Sequence, residues 1–324
     1  MTVARSPELA AAYKTCRAIA KREAKNFYYS FRVLPQHKSD AMCAVYAFMR
    51  KADDLADDES QSIESRREAM ALWVEAWRQS RTIGSGDPIF IALNDTQKRF
   101  NISDDLLEQL VAGTSLDLEA MPDGVCLLEL SGADGKHHSV QVYETFAALH
   151  HYCYLVASVV GLVCIRIFGY TDSRADQLAI DTGVAFQLTN ILRDIKEDVD
   201  RGRIYLSADL LRNNGVTPER ILAISTGSRA SGGDALRPNE LTLLRDLELH
   251  AQTLYRSADE LIPLLDTDAR PAMRVLVRIY HGLLDRIAAD PAAVFRERVS
   301  VPTAQKLSIL AVGILESFSA RLFG

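Results

Sequence analysis

The segment "RKADDLADDES" (residues 50–60) places four aspartates and a glutamate within seven positions, directly after the apolar stretch "AMCAVYAFM". If residues 41–57 form one helix, a spacing of three and four residues puts five side chains on a single face. They are Tyr46, Met49, Arg50, Asp53 and Asp57. Carboxylates one turn apart repel each other, and Mg²⁺ removes that cost because it prefers oxygen ligands.

A second polar stripe follows in "GVAFQLTNILRDIKEDVDRGRIY" (183–205). The same helical spacing selects Gly183, Gln187, Asn190, Asp194 and Asp198. An amphipathic core helix would carry Leu or Val at such positions. Each predicted helix therefore presents an Asp-x-x-x-Asp pair close to an arginine. Arg193 directly precedes Asp194, and Arg50 lies three residues before Asp53.

A single acidic run at a helix end is usually solvated surface, and for the first run alone that interpretation is slightly favoured. The polar residues that continue the second stripe favour metal ligands instead. Two facing pairs could clamp a diphosphate through several Mg²⁺ ions, with Arg50 and Arg193 adding charge-assisted contacts. Within the first run we predict Asp53 and Asp57 as ligands and leave Asp54 open.

Helical periodicity dominates the elements that must position these residues. One exception is the stretch 124–146, whose two β-prone runs predict a small hairpin or flap. The remainder predicts a single all-α domain over residues 1–324. The predicted helices are 7–25, 39–55, 61–80, 88–99, 104–119, 142–169, 174–198, 206–213, 217–224, 237–263, 269–288 and 302–321.

Composition limits the classes of function. The chain has 324 residues, of which 48% are apolar, and a net charge of −6, so it shows no basic footprint for nucleic acid. Five scattered cysteines without a CxxC pair favour reduced thiols in the cytoplasm. The apolar run 307–315 is too short to span a bilayer, and we favour a buried C-terminal helix over one that lies against lipid.

The segment "YCYLVASVVGLVCIRIFGY" (152–170) is apolar nearly all round, with small residues at Ala157, Ser158 and Gly161. Taken alone, such a helix is better explained as packed core. Beside two diphosphate clamps, it becomes a candidate wall for the prenyl chain of a substrate.

These segments resemble the squalene/phytoene synthase family of head-to-head prenyl transferases over most of the chain. "YAFMRKADDLADD" is similar to the first aspartate-rich segment of the family, and "GVAFQLTNILRDIKED" followed by "RIYL" is similar to the second. "YCYLVASVVG" resembles a third family segment, and "NFYYSFRVLP" looks most like bacterial presqualene diphosphate synthases of hopanoid pathways. The resemblance implies an isoprenoid-synthase helical bundle around a central cavity.

The resemblance also implies roles for individual residues. Asp53, Asp57, Asp194 and Asp198 would bind two or three Mg²⁺ ions. Tyr152 and Tyr205 would lie near the reacting centre, where Arg50 and Arg193 would also act. The residues implied to contact the substrate are Lys25, Tyr46, Arg50, Gln187, Asn190, Arg193, Tyr280, Arg298 and Lys306, with Ala157 and Gly161 along the prenyl chain.

The implied reaction condenses two farnesyl diphosphates to presqualene diphosphate. Alternatives are a phytoene synthase acting on geranylgeranyl diphosphate, a full squalene synthase that also uses NADPH, and a non-catalytic lipid-binding or assembly factor of the same fold. We do not expect NADPH or a nucleic-acid partner. We expect a cytoplasmic location. Because the product is so lipophilic, peripheral contact at the inner membrane face is reasonable, and downstream isoprenoid enzymes are candidate partners. The sequence leaves oligomeric state open.

Overall fold

The computed structural model describes residues 6–58, 60–119, 121–131, 136–226 and 236–323, without the side chains of residues 25, 26, 117 and 319–323. Helices dominate it, so the predicted all-α class is confirmed. Their bounds are α1 Pro7–Glu23, α2 Lys25–Phe31, α3 Gln36–Ala56, α4 Ile63–Ile83, α5 Pro88–Phe100, α6 Asp104–Ser115, α7 Phe146–Cys153, α8 Val159–Phe168, α9 Arg174–Asp200, α10 Ala208–Asn213, α11 Pro218–Thr226, α12 Pro238–Leu261, α13 Arg270–Ala289 and α14 Thr303–Phe323.

Local sequence signals set several of these boundaries. The side chain of Asp87 accepts a hydrogen bond from the Ile89 amide, and Pro88 occupies the first position of α5. The same helix ends at Asn101, whose φ of 49° lies in the left-handed region that asparagine tolerates. Such caps explain why the predicted helix ends agree closely with the observed ones in this part of the chain.

The predicted hairpin is confirmed, and it carries a third strand. β1 (Val125–Ser131) pairs antiparallel with β2 (His137–Tyr143), and β2 pairs parallel with the two-residue β3 (Arg203–Ile204). The sheet therefore joins the hairpin to the residues that follow α9. The turn between β1 and β2 lies outside the described residues.

A π-helical turn, Tyr154–Ser158, joins α7 to α8 and lies between two close helix contacts. A Cβ on Gly113 of α6 would lie 2.5 Å from the Leu155 carbonyl oxygen. A Cβ on Gly183 of α9 would lie 2.5 Å from the Ser158 Cα.

The segment Phe146–Phe168 is long and apolar enough to cross a membrane by length and composition. In this fold its C-terminal half lines the central cavity described below.

A buried lysine ties three segments together at one end of the bundle. Lys38 on α3 is 5% exposed, and its Nζ donates to the Phe168 carbonyl oxygen at 2.7 Å. The same nitrogen contacts Asp268 at 2.6 Å and Asp266 at 3.0 Å, in the connection from α12 to α13. We call this group the Lys38 cluster, and it fixes the end of α8 against α3.

The C-terminal helix α14 packs on α13 and α2 through one face only. Gly313 makes this approach possible, because a Cβ there would lie 2.3 Å from the Val275 side chain. The Ser317 hydroxyl donates to the Val33 carbonyl oxygen at 2.9 Å. The prediction of a buried C-terminal helix is therefore right for the inner face and wrong for the outer face, where Leu315 is 69% exposed.

Candidate active site

A central cavity of about 1570 Å³, including its open mouth, lies among α2, α3, α8, α9 and α13. Its walls are largely apolar, with Met42, Phe168 and Met273 among them. One end is polar and the other is apolar, which is the arrangement that an amphipathic chain with a charged head would fill.

Most of the residues selected from sequence come together on this cavity. Residues of both predicted polar stripes, on α3 and on α9, line it, but Asp57, Asp194 and Asp198 are not among the lining residues, and Asp198 lines a separate small pocket. The sequence-selected residues that line the cavity are Tyr46, Arg50, Asp53, Ala157, Gly161, Gln187, Asn190, Arg193, Tyr280 and Arg298.

The second aspartate pair lies inside α9 and is held by arginines. The carboxylate of Asp194 is paired with Arg193 and, at 3.0 Å, with Nε of Arg298. Arg298 also reaches Glu197 at 3.4 Å. Burial, together with the nearby charge of Asp194, raises the pKa of Asp198 to about 7. A cation beside this pair would offset both the burial and the repulsion.

The first aspartate pair lies where α3 ends. Asp53 is half-buried and lines the cavity, whereas α3 ends at Ala56 and Asp57 is its exposed C-cap. Asp57 is therefore exposed and is not among the residues that line the cavity, although its amide still donates to the Asp53 carbonyl oxygen at 2.8 Å; its role as a metal ligand stays a prediction. Asp54 is paired with Arg50 at 2.5 Å.

Arg50 has an unused donor at the mouth of the cavity. Its Nε is buried and has no hydrogen-bond partner among the described residues, although its terminal nitrogen contacts Asp54. A buried donor without an acceptor costs free energy, and a phosphate oxygen would supply the missing acceptor.

Tyr152 and Tyr205 are not among the residues that line the cavity. Their hydroxyls are 3.2 Å apart, and both rings contact Tyr143 of β2. They line a separate, smaller pocket together with Arg203. The sequence did not select Tyr143 or Arg203, because only the pairing of β2 with β3 brings them to this place.

Two predicted basic residues are not placed on the cavity. The side chain of Lys25 lies outside the described residues. Lys306 is half-buried in the first turn of α14 and does not line the cavity. Of the predicted basic residues beyond α9, Arg298 is the one that the structure brings to the mouth.

The fold is that of solved isoprenoid synthases. A dehydrosqualene synthase structure in complex with ligand has a TM-score of 0.77 at 25% identity, covering 96% of this chain and 98% of that one. The squalene synthase HpnC from Alicyclobacillus acidocaldarius has a TM-score of 0.72 at 23% identity, covering 88% and 96%. Fold and site together define a prenyl transferase.

Residues 20–305 match the family described as squalene/phytoene synthase, and the chain belongs to that family. A phytoene synthase of Mycobacterium tuberculosis is 31% identical over 312 residues, covering 96% of this chain and 93% of the relative. A presqualene diphosphate synthase of Rhodopseudomonas palustris is 28% identical over 288 residues, covering 88% and 91%. The family predicted from the sequence motifs is confirmed, and its relatives include both kinds of synthase.

Proposed function

We propose that the protein condenses two farnesyl diphosphates head to head to presqualene diphosphate. The choice of farnesyl rests on the motifs that resemble presqualene diphosphate synthases and on the relative of that name. The cavity wall runs about 16 Å along α3, from Met42 to Asp53, and about 21 Å along α9, from Ala179 to Arg193. These lengths fit a prenyl chain of either 15 or 20 carbons, so the product assay below makes the distinction.

The donor set fits Mg²⁺ as this ion is usually bound, by one or two carboxylates completed by phosphate oxygens and water. No group of three or more acidic, histidine or cysteine side chains is arranged to hold a metal alone in the part of the chain that the structure describes. Asp53, Asp194 and Asp198 would hold the ions, with Asp57 joining from the helix end. When bound, Mg²⁺ neutralises diphosphate oxygens and promotes departure of the leaving group.

The residues of the chain bind the heads and shelter the tails. The unpaired Nε of Arg50 and the guanidinium groups of Arg193 and Arg298 face the mouth, where two diphosphates would accumulate charge. The apolar walls exclude water, which would otherwise capture the allylic cation left when one diphosphate departs.

The bond changes balance without a further reactant. C1 of one farnesyl unit loses diphosphate, and the C2–C3 double bond of the other attacks it. Loss of one proton then closes a cyclopropane, and the second diphosphate remains on the product.

The sequence left two candidates for the base that accepts this proton, the released diphosphate or a tyrosine. Burial raises the pKa of Tyr46 to about 12 and also raises that of Tyr280, which disfavours the phenolate that a base would need. Tyr152 and Tyr205 do not line the cavity, so we propose the released diphosphate as the base.

A phytoene synthase is the second candidate, favoured by the identity of 31% to relatives with that name. Incubation with Mg²⁺ and either farnesyl or geranylgeranyl diphosphate, each with and without NADPH, separates the candidates by product. We expect a C30 cyclopropyl diphosphate from farnesyl diphosphate without NADPH, with kcat/KM roughly tenfold above that for the longer substrate, a difference of about 1.4 kcal/mol. A C40 product made at equal or higher efficiency would favour phytoene synthase, and no turnover would favour a non-catalytic factor.

The Lys38 cluster offers a separate test of cavity depth. It holds Phe168, a wall residue at the apolar end, against α3, yet Lys38 does not itself line the cavity. Lys38→Met should raise the use of geranylgeranyl diphosphate relative to farnesyl diphosphate by several-fold. Arg220→Met is the matched control, because it breaks a buried ion pair with Glu240 that is not on the cavity. An unchanged ratio in Lys38→Met, in protein shown to be folded, would show that the Lys38 cluster does not control the chain length that the cavity accepts.

A further inference from the structure

From residue 303 to 318, where the side chains of α14 are described, no fully exposed position carries a charged residue. Among the described residues from 303 to 318, each exposed side chain is apolar, small or uncharged, and Lys306 and Glu316 are only half-exposed. Large apolar side chains stand in solvent there. Their exposed fractions are 51% for Leu307, 41% for Val312, 69% for Leu315 and 60% for Phe318. A contiguous apolar patch of this kind usually marks an interaction surface.

The orientation of α14 is fixed by its inner face, so the apolar residues outside are not a displaced core. Leu310 and Gly313 pack inward, and the Ser317 hydroxyl is bonded to the backbone of the loop after α2. Rotating the helix to bury Leu315 would break these contacts and expose Leu310, which is 4% exposed now.

Arginines line one flank of the same helix. Arg274 and Arg278 of α13 share the single carboxylate of Glu316, at 3.4 and 3.2 Å. Arg270, one turn earlier, donates to the carbonyl oxygens of Leu265 and Pro263, which do not neutralise its charge. Asp259 is the acidic residue that lines the groove beside them. At the edge of α14 itself, two guanidinium groups share one carboxylate, which leaves one excess positive charge there. Arg270 is farther from α14 and follows shortly after the two aspartates of the Lys38 cluster.

We propose that this surface, the outward face of α14 with the Arg274–Arg278 flank, docks on an anionic lipid bilayer. The apolar side chains would enter the boundary between headgroups and acyl chains, and the arginines would reach the headgroups beside it. Each basic side chain near an anionic surface adds attraction to that surface. A symmetric contact with a second copy would instead place two positively charged flanks in the same interface, where they would repel each other. Charge complementarity therefore selects the bilayer as the occupant.

The position of the surface suits a route between lipid and the cavity. Helix α13 contacts α14 on one side and contributes Met273, Leu276 and Tyr280 to the cavity wall on another. Helix α2, which α14 also contacts, contributes Phe27 and Phe31. The docked helix would lie one layer from the prenyl-binding space, but the docking itself does not depend on which prenyl diphosphate is the substrate.

The test is flotation of the full chain with vesicles of phosphatidylcholine, with and without phosphatidylglycerol. We expect binding to the anionic vesicles, reduced roughly tenfold by Leu315→Ser with Phe318→Ser, because the apolar area that would be buried is lost. Arg274→Gln with Arg278→Gln should reduce binding several-fold and weaken its dependence on salt.

Leu72→Ser with Ile83→Ser is the matched control, since these residues of α4 are 67% and 81% exposed and lie away from α14. This control should bind as the unchanged protein does. Equal loss of binding in the control, or no flotation of the unchanged protein, would overturn the proposal. So would a dimer, measured by light scattering, that the α14 substitutions dissociate, because it would assign the face to a second copy.

Discussion

The two aspartate pairs look alike in the sequence and differ in the structure. The pair on α9 lies within a long helix, where Asp194 is held by two arginines and both carboxylates are half-buried. The pair on α3 spans a helix end, with Asp53 on the cavity wall and Asp57 exposed beyond it. The same spacing therefore gives an aspartate pair inside a helix on the α9 side and a pair that spans a helix end on the α3 side.

This difference suggests a division of labour between the two sides. On the α9 side, the ion pairs of Asp194 with Arg193 and Arg298 are already present, so we expect its geometry to be set before substrate arrives. On the α3 side, Asp57 is exposed, and we expect it to contribute only if diphosphate and metal bring it into the site. The following predictions test that asymmetry.

The largest effect is expected from substitutions at Asp53, which lines the cavity, and at Asp194, which pairs with two arginines of its lining. Asp194→Asn and Asp53→Asn should each lower kcat by about a thousandfold, because each removes charge from the site where the leaving group is stabilised. Steady-state kinetics with farnesyl diphosphate would measure this. Asp200→Asn on α9, an exposed position paired with Lys196, is the control and should stay near unchanged activity. Near-normal activity in both variants would refute the model of two metal-binding sides.

Asp57→Asn should have a smaller effect, which separates the two sides directly. Because Asp57 is an exposed cap, we expect it to add affinity for metal and not to create the site. The Mg²⁺ concentration for half-maximal activity should rise roughly tenfold, with kcat at saturating Mg²⁺ reduced only a few-fold. Asp58→Asn, next along the same exposed run, is the control. A loss of kcat as large as in Asp53→Asn would show that both sides are equally formed.

The burial of Asp198 predicts a pH dependence of stability in metal-free protein. Its folded pKa of about 7 lies above the ordinary value of 3.8, so the folded state holds a proton that the unfolded state releases. Stability should therefore fall as pH rises from about 4 to about 7. Asp198→Asn should abolish this decline and stabilise the protein at pH 8 by on the order of 1–3 kcal/mol, a few degrees in Tm.

Thermal melts in EDTA at several pH values would measure that effect, with Asp200→Asn as control. An unchanged pH dependence in Asp198→Asn would show that the α9 pair is not strained without metal. Addition of Mg²⁺ with inorganic diphosphate should then stabilise the unsubstituted protein at pH 8 more than it stabilises Asp198→Asn.

The smallest effect is expected at Asp54, which faces away from the cavity and holds Arg50. Asp54→Asn should raise KM two- to fivefold with little change in kcat, because an exposed ion pair contributes little and here only orients the arginine. A fall in kcat comparable to that in Asp53→Asn would instead make Asp54 a metal ligand.

The sequence was most informative where a local rule decides the outcome. Helical periodicity and caps located most helices, and the helical faces alone were enough to select Arg50, Asp53, Gln187 and Asn190, which all line the cavity. The short helix α2 was not predicted, because seven residues rich in aromatics carry little helical signal and its position depends on packing against α13. The predicted helix over 142–169 is interrupted at its start by β2 and within it by the π-helical turn.

The rest of the site depends on contacts between distant segments. The pairing of Arg298 with Asp194 joins residues more than a hundred positions apart, and only the family resemblance pointed to Arg298. Tyr143 and Arg203 meet through a strand of two residues. Lys38 carried no signal at all, since a lysine in the first turns of an amphipathic helix looks like any solvated surface residue.

The Lys38 cluster also has a consequence for the order in which the protein folds. Lys38 and Asp268 are 230 positions apart, so this contact closes nearly three-quarters of the chain into a loop. Closing so long a loop costs more entropy than forming local helices, and we expect it to follow them in time. On the ribosome the lysine emerges long before its acidic partners. The apolar end of the cavity would therefore stay open to solvent and to chaperones until most of the chain has been made.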